Sequence, residues 1–357
     1  MNKERKSILI IHKMQFGYLT DVYKWCQYLC DEYDITVVSL NRGFPTMSID
    51  GVRVVEVCGK NYYFRGISFL IRCIVEILKS KGIIILCYFN EVPILRRIFP
   101  KKKMILDVRT LSINEDEKHR KNYNSKLEAL LSRFSQITVI SEGVKSVLGE
   151  KACNASIVPL GAELGKTGIN KSNNPRLLYV GTLCNRRIED TINGLKIFID
   201  NNPNVDILYD IIGDGADGDL QKLCDLVQEL NLKKYVTFHG RIPNDKIGPF
   251  LEKANVGVSY VPITDYYEYQ PPTKTFEYVL SGLLCLATST YSNKELINES
   301  NGFLIQDNPE SFAKGLEYCC KKITNYNPEL VKETLLEYTW ENIVNNKLKP
   351  VLDSLYK

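Results

Sequence analysis

Short, continuous apolar runs alternate with amphipathic, helix-like segments along the first half of the chain. The runs are rich in Ile and Val, which is typical of parallel strands covered on both faces of a sheet. Strands are predicted at Ser7–Ile11, Ile35–Leu40, Val52–Val57, Ile83–Tyr88, Lys103–Val108 and Ile137–Ile140. Helical periodicity lies between them, at about Tyr18–Glu32, Gly66–Lys79 and Ser125–Ser135. Since strand and helix alternate, the pattern predicts a doubly wound α/β domain.

The same alternation begins again in the second half, which predicts a second domain of the same class. The polar segment Gly165–Pro175 indicates the linker between them. Strands are predicted at Arg176–Val180, Asp206–Ile212, Val236–Ile242, Val256–Tyr260, Leu283–Ala287 and Gly302–Leu304. Two helical patterns, Asn308–Ile323 and Pro328–Tyr356, end the chain. The predicted bounds are 1–165 for the first domain, 172–335 for the second and 336–357 for a final helix that packs on the first domain.

Length and composition are typical of a soluble protein with two domains. A chain of 357 residues can bury two cores of ordinary size. No apolar run reaches the ~18–20 residues that are needed to cross a bilayer. The first apolar run stops at His12, so it indicates a strand and not a signal peptide. These features predict a cytoplasmic location.

The cysteines and histidines do not form a recognisable metal or disulfide pattern. Eleven cysteines are scattered along the chain without a CxxC pair, and their odd number fits a reducing cytoplasm. The three histidines, His12, His119 and His239, lack the spacing of metal ligands. We therefore predict no disulfide, no bound metal and no cofactor.

The net charge of +4 conceals a basic segment in the first half. Residues 53–103 contain 11 basic and 3 acidic residues, and the aromatic run Tyr62-Tyr63-Phe64 lies among them. The helix predicted next carries one apolar side, formed by Ile67, Leu70, Ile71, Ile74 and Leu78. Such a surface suits an anionic membrane, which predicts peripheral attachment at its inner face. The alternative is that this side packs on the sheet, as in any α/β domain. No nucleic-acid-binding motif occurs.

The stretch from Tyr266 to Ser289 carries the most specific chemistry. Two prolines end a Tyr-rich loop, a helix is predicted to begin at Thr273, and Gly282 is placed to stop it. Lys274 and Glu277 are three residues apart, so they share one face of this helix. A carboxylate and an amine near a helix N-terminus suit a sugar diol and a phosphate. An ordinary exposed ion pair is the alternative.

The pattern Pro-x-Lys-x-x-Glu-Tyr that ends at Tyr278, followed by a small residue, Gly282 and the apolar strand Leu283–Ala287, resembles the donor-site segment of family 4-like glycosyltransferases. The resemblance implies the GT-B fold, in which two Rossmann-like domains face a cleft and the C-terminal helix crosses back to the first. It also implies that a sugar moves from a nucleotide-sugar donor to a glycan or lipid-linked acceptor with retention of configuration. Cell-surface polysaccharide or glycolipid synthesis is the implied setting, with the leaving diphosphate stabilised without a metal.

The resemblance assigns a role to several residues. Glu277 would hold the donor ribose, and Arg187 would neutralise the diphosphate with help from Arg186 or Lys274. The other implied donor-side residues are Gly17, Gly181, Gly213, Arg241, Ile242 and Thr273, and the implied acceptor-side residues are Asp107, Arg109 and His119. A plain turn at Gly17 and a surface position for His119 are the alternatives.

One feature of this family is displaced in the sequence. The family often has two glutamates separated by seven residues, whereas Glu268 and Glu277 have eight between them and Tyr269 occupies the expected position. Either a loop insertion brings Glu268 into place, or another group takes its role. This departure keeps a non-catalytic binding protein open as an alternative.

A second alternative arises from Gly213–Gly218, which has the form G-x-G-x-x-G after a predicted strand. That pattern can bind NAD in an oxidoreductase. Two acidic residues, Asp214 and Asp217, lie inside it and disfavour a pyrophosphate.

Overall fold

The computed structural model describes residues 5–59, 62–166, 172–216 and 218–356, excluding the side chains of residues 62 and 63. The chain divides into two units: Met1–Leu160 with Trp340–Lys357, and Gly161–Thr339. The second unit therefore begins eleven residues before its predicted start and ends four residues after its predicted end. The reason is local, because the backbone N–H of Ala162 donates to the carbonyl of Tyr338 (3.1 Å) and joins the two ends of that unit. Much of the predicted linker, residues 167–171, lies outside the described residues.

Seven parallel strands form the sheet of the first unit. They are β1 (Lys6–Ile11), β2 (Tyr33–Leu40), β3 (Val52–Val57), β4 (Ile83–Cys87), β5 (Met104–Val108), β6 (Gln136–Val139) and β7 (Ser156–Ile157). Their order is β3-β2-β1-β4-β5-β6-β7. The register places Ile8 of β1 between Ile35 of β2 and Ile83 of β4, so the apolar runs of the sequence lie side by side in the buried centre.

The helices that follow these strands are α1 (Thr20–Leu29), α2 (Tyr62–Lys79), α3 (Val92–Ile98), α4 (Glu117–Leu131) and α5 (Glu142–Leu148). α3 has no counterpart in the sequence prediction, because it is only seven residues long. α4 begins well before the predicted Ser125. The Asp116 carboxylate caps it by accepting from the backbone N–H groups of Lys118 (2.8 Å) and His119 (3.1 Å).

Six parallel strands form the sheet of the second unit. They are β8 (Arg176–Val180), β9 (Leu208–Ile212), β10 (Val236–Gly240), β11 (Val256–Ser259), β12 (Leu284–Thr288) and β13 (Gly302–Ile305). Their order is β10-β9-β8-β11-β12-β13. The helices are α6 (Ile188–Asn201), α7 (Asp219–Glu229), α8 (Gly248–Lys253), α9 (Thr273–Leu280), α10 (Tyr291–Leu296), α11 (Pro309–Ile323) and α12 (Pro328–Glu333). The predicted pair of doubly wound α/β domains is confirmed.

The last helical segment returns to the first unit. The predicted continuous helix Pro328–Tyr356 is wrong, because a 3-10 turn at Leu336–Tyr338 separates α12 from α13 (Trp340–Ile343). A π-helical turn, Val344–Leu348, joins α13 to α14 (Lys349–Tyr356). Trp340 is buried, and the Asp353 carboxylate of α14 accepts from the hydroxyl of Tyr33 in β2 (3.0 Å).

The order of the second sheet determines where a ligand can bind. β8 and β11 are neighbours, and the strands that follow each of them in the chain run off in opposite directions. In such sheets the ligand crevice lies outside the carboxyl ends of the two central strands. Gly181 directly follows β8, and α9 is the helix that follows β11.

Across the described residues, none of the helices combines the length and the apolar character that a membrane span requires.

Candidate active site

α9 is short and is fixed at both ends. Pro272 precedes Thr273 in an extended conformation, so the helix begins where the sequence predicts. Gly282 has a φ of +73°, and its N–H donates to the Val279 carbonyl (2.9 Å), while the next N–H, of Leu283, donates to the Tyr278 carbonyl (3.0 Å). This is a Schellman ending, in which a left-handed glycine satisfies the last carbonyls of the helix.

A buried polar network sets the roll of α9 about its axis. Thr275 donates its hydroxyl to the amide oxygen of Asn293 (3.0 Å) and lies 2.7 Å from the Ser259 hydroxyl at the end of β11. Because one hydroxyl has one proton, Ser259 is then the donor to Thr275. The Asn293 amide donates in turn to the Thr288 carbonyl (2.8 Å) at the end of β12. α9 is therefore held against two strand ends.

This roll places Lys274 in a buried position without a hydrogen-bond partner. Its Nζ is enclosed and donates no hydrogen bond to any of the described residues. The ammonium lies 4.0 Å from the centre of the Tyr179 ring. Burial, assisted by the positive charge of Arg186, lowers the pKa of Lys274 to about 7. A buried amine without a partner is costly, so this geometry indicates a site built for an anion.

Glu277 lies one turn further along α9 and is partly buried. Burial raises the pKa of its carboxyl, and the ammonium of Lys274 opposes that rise. Lys274 Nζ has no partner, so no salt bridge joins it to Glu277, and among the described residues the Glu277 carboxylate has no hydrogen-bond donor. The two side chains are therefore not an ordinary exposed ion pair, and both are available to a ligand.

Three glycines lie at the ends of neighbouring strands, and the one beside Lys274, Gly181, has no side chain to fill the space there. Gly181, Gly213 and Gly240 lie at the ends of β8, β9 and β10, and the Gly213 N–H donates to the Gly240 carbonyl (2.9 Å). A Cβ on Gly213 would lie 1.8 Å from the Gly181 carbonyl oxygen, so no larger residue fits there. A Cβ on Gly181 would lie 3.3 Å from the Lys274 Nζ, inside the space that an anion would use.

Arg187 and Arg186 differ in their partners. Arg187 is exposed, and its guanidinium pairs with the carboxylates of Asp190 (2.8 Å) and Asp307 (3.1 Å). Its charge is thus already balanced by two acids, Asp190 at the start of α6 and Asp307 after β13. Arg186 is half-buried, stacks 4.5 Å from the centre of the Tyr267 ring and donates to the Tyr267 hydroxyl. Since it pairs with no described carboxylate, Arg186 is the arginine with charge left for a ligand.

Glu268 is engaged at another helix. Its Oε1 accepts from the backbone N–H of Tyr291 (2.9 Å), and its carbonyl accepts from the N–H of Ser292 (3.1 Å). Both donors belong to the first turn of α10. The carboxylate therefore closes the Tyr-rich loop onto α10, which does not favour the expectation that an insertion moves it into the role of the displaced glutamate.

The remaining donor-side predictions fall at the edge of this site. Thr273 is exposed in the first turn of α9. Arg241, exposed, and Ile242, partly buried, directly follow Gly240. A pair that the sequence did not indicate lies beside them: His239 Nε2 is 2.6 Å from the carboxylate of Asp210 on the neighbouring strand.

In the described part of the loop Gly213–Gly218, two backbone N–H groups are occupied by nearby carboxylates. The Asp214 carboxylate accepts from the N–H of Gly215 (2.8 Å), and the Asp219 carboxylate accepts from the N–H of Ala216 (3.0 Å). N–H groups that are occupied by carboxylates are not free to cradle a pyrophosphate, which disfavours the NAD alternative. Asp217, which with Asp219 forms an Asp-x-Asp pair that the sequence reasoning missed, lies outside the described residues.

The acceptor-side candidates lie in the first unit, where Asp107 is buried and Arg109 is partly buried. Arg109 donates to the Asp21 carboxylate (2.7 Å) and to the Val158 carbonyl (2.7 Å). Asp107 accepts from the hydroxyl of Thr138 (2.7 Å), and burial raises the pKa of its carboxyl. Both side chains are engaged by partners in their own unit, and their acceptor-side role stays a prediction.

His119 and Gly17 have simpler environments. His119 is exposed on the first turn of α4, as the surface alternative predicts. Gly17 has a φ of +89°, and a Cβ there would collide with Met47, so its loop requires glycine for packing inside the first unit.

Comparison with known proteins gives one family match and many structural ones. Residues 174–322 match the sequence model of the family described as glycosyl transferases group 1, a range that holds every second-unit residue of the candidate site. None of the curated protein sequences is similar enough to this chain to count as a match.

Three solved structures illustrate the likeness. Sucrose-phosphate synthase (tll1590) of Thermosynechococcus elongatus superimposes with a TM-score of 0.77 at 16% identity, over 99% of each chain. Alr3699/HepE of Anabaena, in complex with UDP and glucose, has a TM-score of 0.73 at 14% identity, over 98% of this chain and all of its own (100%). The lipopolysaccharide outer core galactosyltransferase WaaB has a TM-score of 0.70 at 15% identity, over 98% of this chain and 99% of its own. At these identities the likeness establishes the fold.

Proposed function

We propose that this chain, a glycosyltransferase of the GT-B fold whose residues 174–322 form a group 1 glycosyltransferase domain, transfers a hexose from a nucleoside-diphosphate sugar with retention of configuration. The observation that carries the proposal is the buried, unpartnered ammonium of Lys274 beside the bare backbone of Gly181. A site of this kind needs an anion to complete it, and a diphosphate is the anion that every such donor contains.

The diphosphate would be held by three positive groups. Lys274 supplies an ammonium, Arg186 supplies a guanidinium, and the first turn of α9, which no side chain caps, supplies the positive end of the helix dipole. Negative charge grows on the diphosphate as the sugar leaves. Fixed positive groups that stabilise this charge in a water-poor site lower the barrier of the reaction.

The ribose of the donor would bind Glu277. A carboxylate accepts two hydrogen bonds from a vicinal diol, and Glu277 lacks a competing donor among the described residues. It also lies one turn from Lys274, on the same side of α9, so one short helix would hold both the phosphate and the ribose of one nucleotide.

We propose a glycan or lipid-linked acceptor that is met at an anionic membrane surface on the cytoplasmic side. The support is the basic segment 53–103 of the first unit and the fold shared with an enzyme of lipopolysaccharide synthesis. The HepE complex makes UDP-glucose a reasonable first donor to test.

A thermal-shift panel of UDP-, GDP- and dTDP-sugars tests this function. At least one donor should stabilise the protein, and Gly181→Val, whose side chain would occupy the space beside Lys274, should abolish the shift. Release of free sugar from the same donor would separate an enzyme from a binding protein. If NADH shifts the melting temperature and no nucleotide sugar does, the proposal fails.

A further inference from the structure

α2 is apolar on two opposite sides, and one of these sides is exposed. Phe69, Cys73 and Ile77 face the core of the first unit and are almost completely buried. The opposite side carries Phe64, Ile67, Ile71 and Leu78, which are exposed by 69%, 58%, 57% and 63%. These four residues form the α2 stripe. Since another set of residues makes the contact with the core, packing on the sheet does not account for the stripe.

α3 extends this apolar surface. Its buried residues Val92 and Leu95 belong to the same hydrophobic cluster as the core side of α2, so both helices cover one face of the sheet. The outward residues of α3 include Ile94 and Ile98, which are also exposed. Soluble proteins rarely leave several large apolar residues uncovered on helices that cover the same face of a sheet, and such a surface marks an interaction site.

The charges of residues 53–103 that remain without a partner of opposite charge are positive. The three carboxylates of residues 53–103 are engaged within the unit: Glu76 is buried against Arg53 (2.8 Å), Glu91 pairs with Lys13 (2.5 Å), and Glu56 accepts from Asn41 (3.1 Å). Arg72 (3.4 Å) and Lys79 (3.7 Å) also pair with Glu76, whereas Lys81, Arg97 and Lys101 are exposed and pair with no described carboxylate. The outer surface of α2 and α3 is therefore apolar and cationic, with its acids turned inward.

We propose that the outer face of α2 and α3 docks the enzyme on an anionic lipid bilayer. The α2 stripe would lie among the headgroups and upper acyl chains, while the surrounding lysines and arginines contact lipid phosphates. Helices with this division of residues bind in the plane of a membrane interface. A second copy of the chain is a poorer occupant, because two cationic faces would repel each other.

This inference deepens the proposed function, since a lipid-linked acceptor is presented at such a surface. The full chain should sediment with vesicles rich in phosphatidylglycerol at low salt, and it should remain in solution with phosphatidylcholine vesicles. Ile67→Ser with Ile71→Ser should weaken this binding at least ~10-fold, because each change removes a large apolar side chain from the interface. The matched control is Val147→Ser with Leu330→Ser, two exposed apolar positions elsewhere, which should bind as the wild type does.

The electrostatic part has its own pair of variants. Arg97→Gln with Lys101→Gln should reduce binding and its salt dependence, whereas Lys222→Gln with Lys253→Gln, exposed in the second unit, should change neither. The inference is overturned if the wild type stays in the supernatant with anionic vesicles, or if the Ile67 and Ile71 variant still sediments fully. The inference is also overturned if the wild type is a dimer in analytical ultracentrifugation and the Ile67 and Ile71 variant is a monomer.

Nucleotide-sugar binding by the same variants separates this inference from the proposed function. All of them should retain the thermal shift with the donor, because the changed residues lie outside the site at α9. A wild type that binds vesicles but no nucleotide sugar would remove the function and leave the docking surface. A wild type that binds donor but no vesicles would remove the docking surface and leave the proposed function.

Discussion

The ammonium of Lys274 lies 4.0 Å above the centre of the Tyr179 ring, and this contact takes the place that a carboxylate would have in an ordinary ion pair. The ring face attracts the cation without forming a hydrogen bond to it. The three protons of the ammonium thus remain available to a ligand. Tyr179 is itself held in place, since its hydroxyl donates to the Thr182 carbonyl (2.6 Å).

Tyr179→Leu and Tyr179→Phe should separate the ring from the hydroxyl. A cation–π contact is worth about 0.5–2 kcal/mol and favours the charged amine, so its loss should lower the pKa of Lys274 by roughly 0.4–1.5 units. The pH profile of donor binding should shift to lower pH in Tyr179→Leu and stay in place in Tyr179→Phe. Calorimetry with UDP-glucose at several pH values measures this shift. Equal profiles in the two variants would show that the ring has no electrostatic role.

Donor affinity in the wild type should itself decrease with rising pH. Lys274 titrates at about 7 in the free protein, and a bound diphosphate favours its charged form. Binding above this pH requires proton uptake, which should weaken affinity by about tenfold per pH unit. UDP-glucose is a suitable ligand, because its diphosphate diester does not titrate in this range. Lys274→Gln should bind weakly and without pH dependence; a retained slope would assign the proton to another group.

Stability without donor should change with pH in the opposite direction. Because folding lowers the pKa of Lys274, the unfolded chain binds more protons between about pH 7 and the normal lysine value. The contribution of this residue to the free energy of unfolding should therefore rise across that window. Urea titrations of the wild type and Lys274→Met measure it. A steeper dependence in the Met variant would contradict the buried, shifted amine.

Glu277→Gln should weaken donor binding without unfolding the protein. Each hydrogen bond from a hydroxyl to a charged acceptor is worth about 1.5–3 kcal/mol. Replacing the charged acceptor of two such bonds with a neutral amide should therefore cost roughly 2–4 kcal/mol of binding free energy. That corresponds to more than ~10-fold in the dissociation constant. Calorimetry with UDP and with UDP-glucose should report the same loss, since both contain the ribose. An unchanged affinity would remove the ribose assignment.

Arg186→Ala and Arg187→Ala should differ in kind. Loss of Arg186 should lower kcat by about 10²–10³ while donor affinity falls less, as expected for a group that stabilises charge in the transition state. Loss of Arg187 should instead lower the melting temperature, because Asp190 and Asp307 lose the cation between them. Steady-state kinetics and thermal unfolding of both variants decide the matter. A selective loss of kcat in Arg187→Ala would restore the role that the resemblance assigned to it.

Local sequence patterns predicted the fold because the interactions that they describe form between residues close together in the sequence. The apolar runs predicted both parallel sheets, and Pro272 and Gly282 predicted the two ends of α9, since each acts on its own neighbours. The prediction of a continuous C-terminal helix was wrong because the contact at its interruption is not local. Its interruption at Leu336–Tyr338 depends on Ala162, which is remote in sequence and pairs with that turn.

The partners of charged side chains were beyond the sequence. Arg187 matched its expected spacing, but Asp307, which neutralises it, follows β13 far along the chain. Glu268 looked like a displaced site residue until its hydrogen bond to Tyr291 placed it at the start of α10. Asp107 and Arg109 end a strand as predicted, yet they are enclosed by α1 and the segment at Val158. Long-range packing decides which charges are free, and no local pattern records it.

The last prediction concerns divalent metal. Lys274, Arg186 and the start of α9 already supply positive charge where the diphosphate is proposed to lie, so we expect activity to persist in EDTA. The Asp-x-Asp pair of Asp217 and Asp219 offers the competing expectation, because paired carboxylates can hold Mg²⁺ or Mn²⁺. Asp219→Asn, assayed beside the wild type with and without EDTA, distinguishes the two. Full loss in EDTA that Mn²⁺ restores, with Asp219→Asn equally inactive, would transfer the neutralising role from the buried amine to a metal ion. Activity that is insensitive to EDTA in both proteins would leave that role with Lys274 and Arg186.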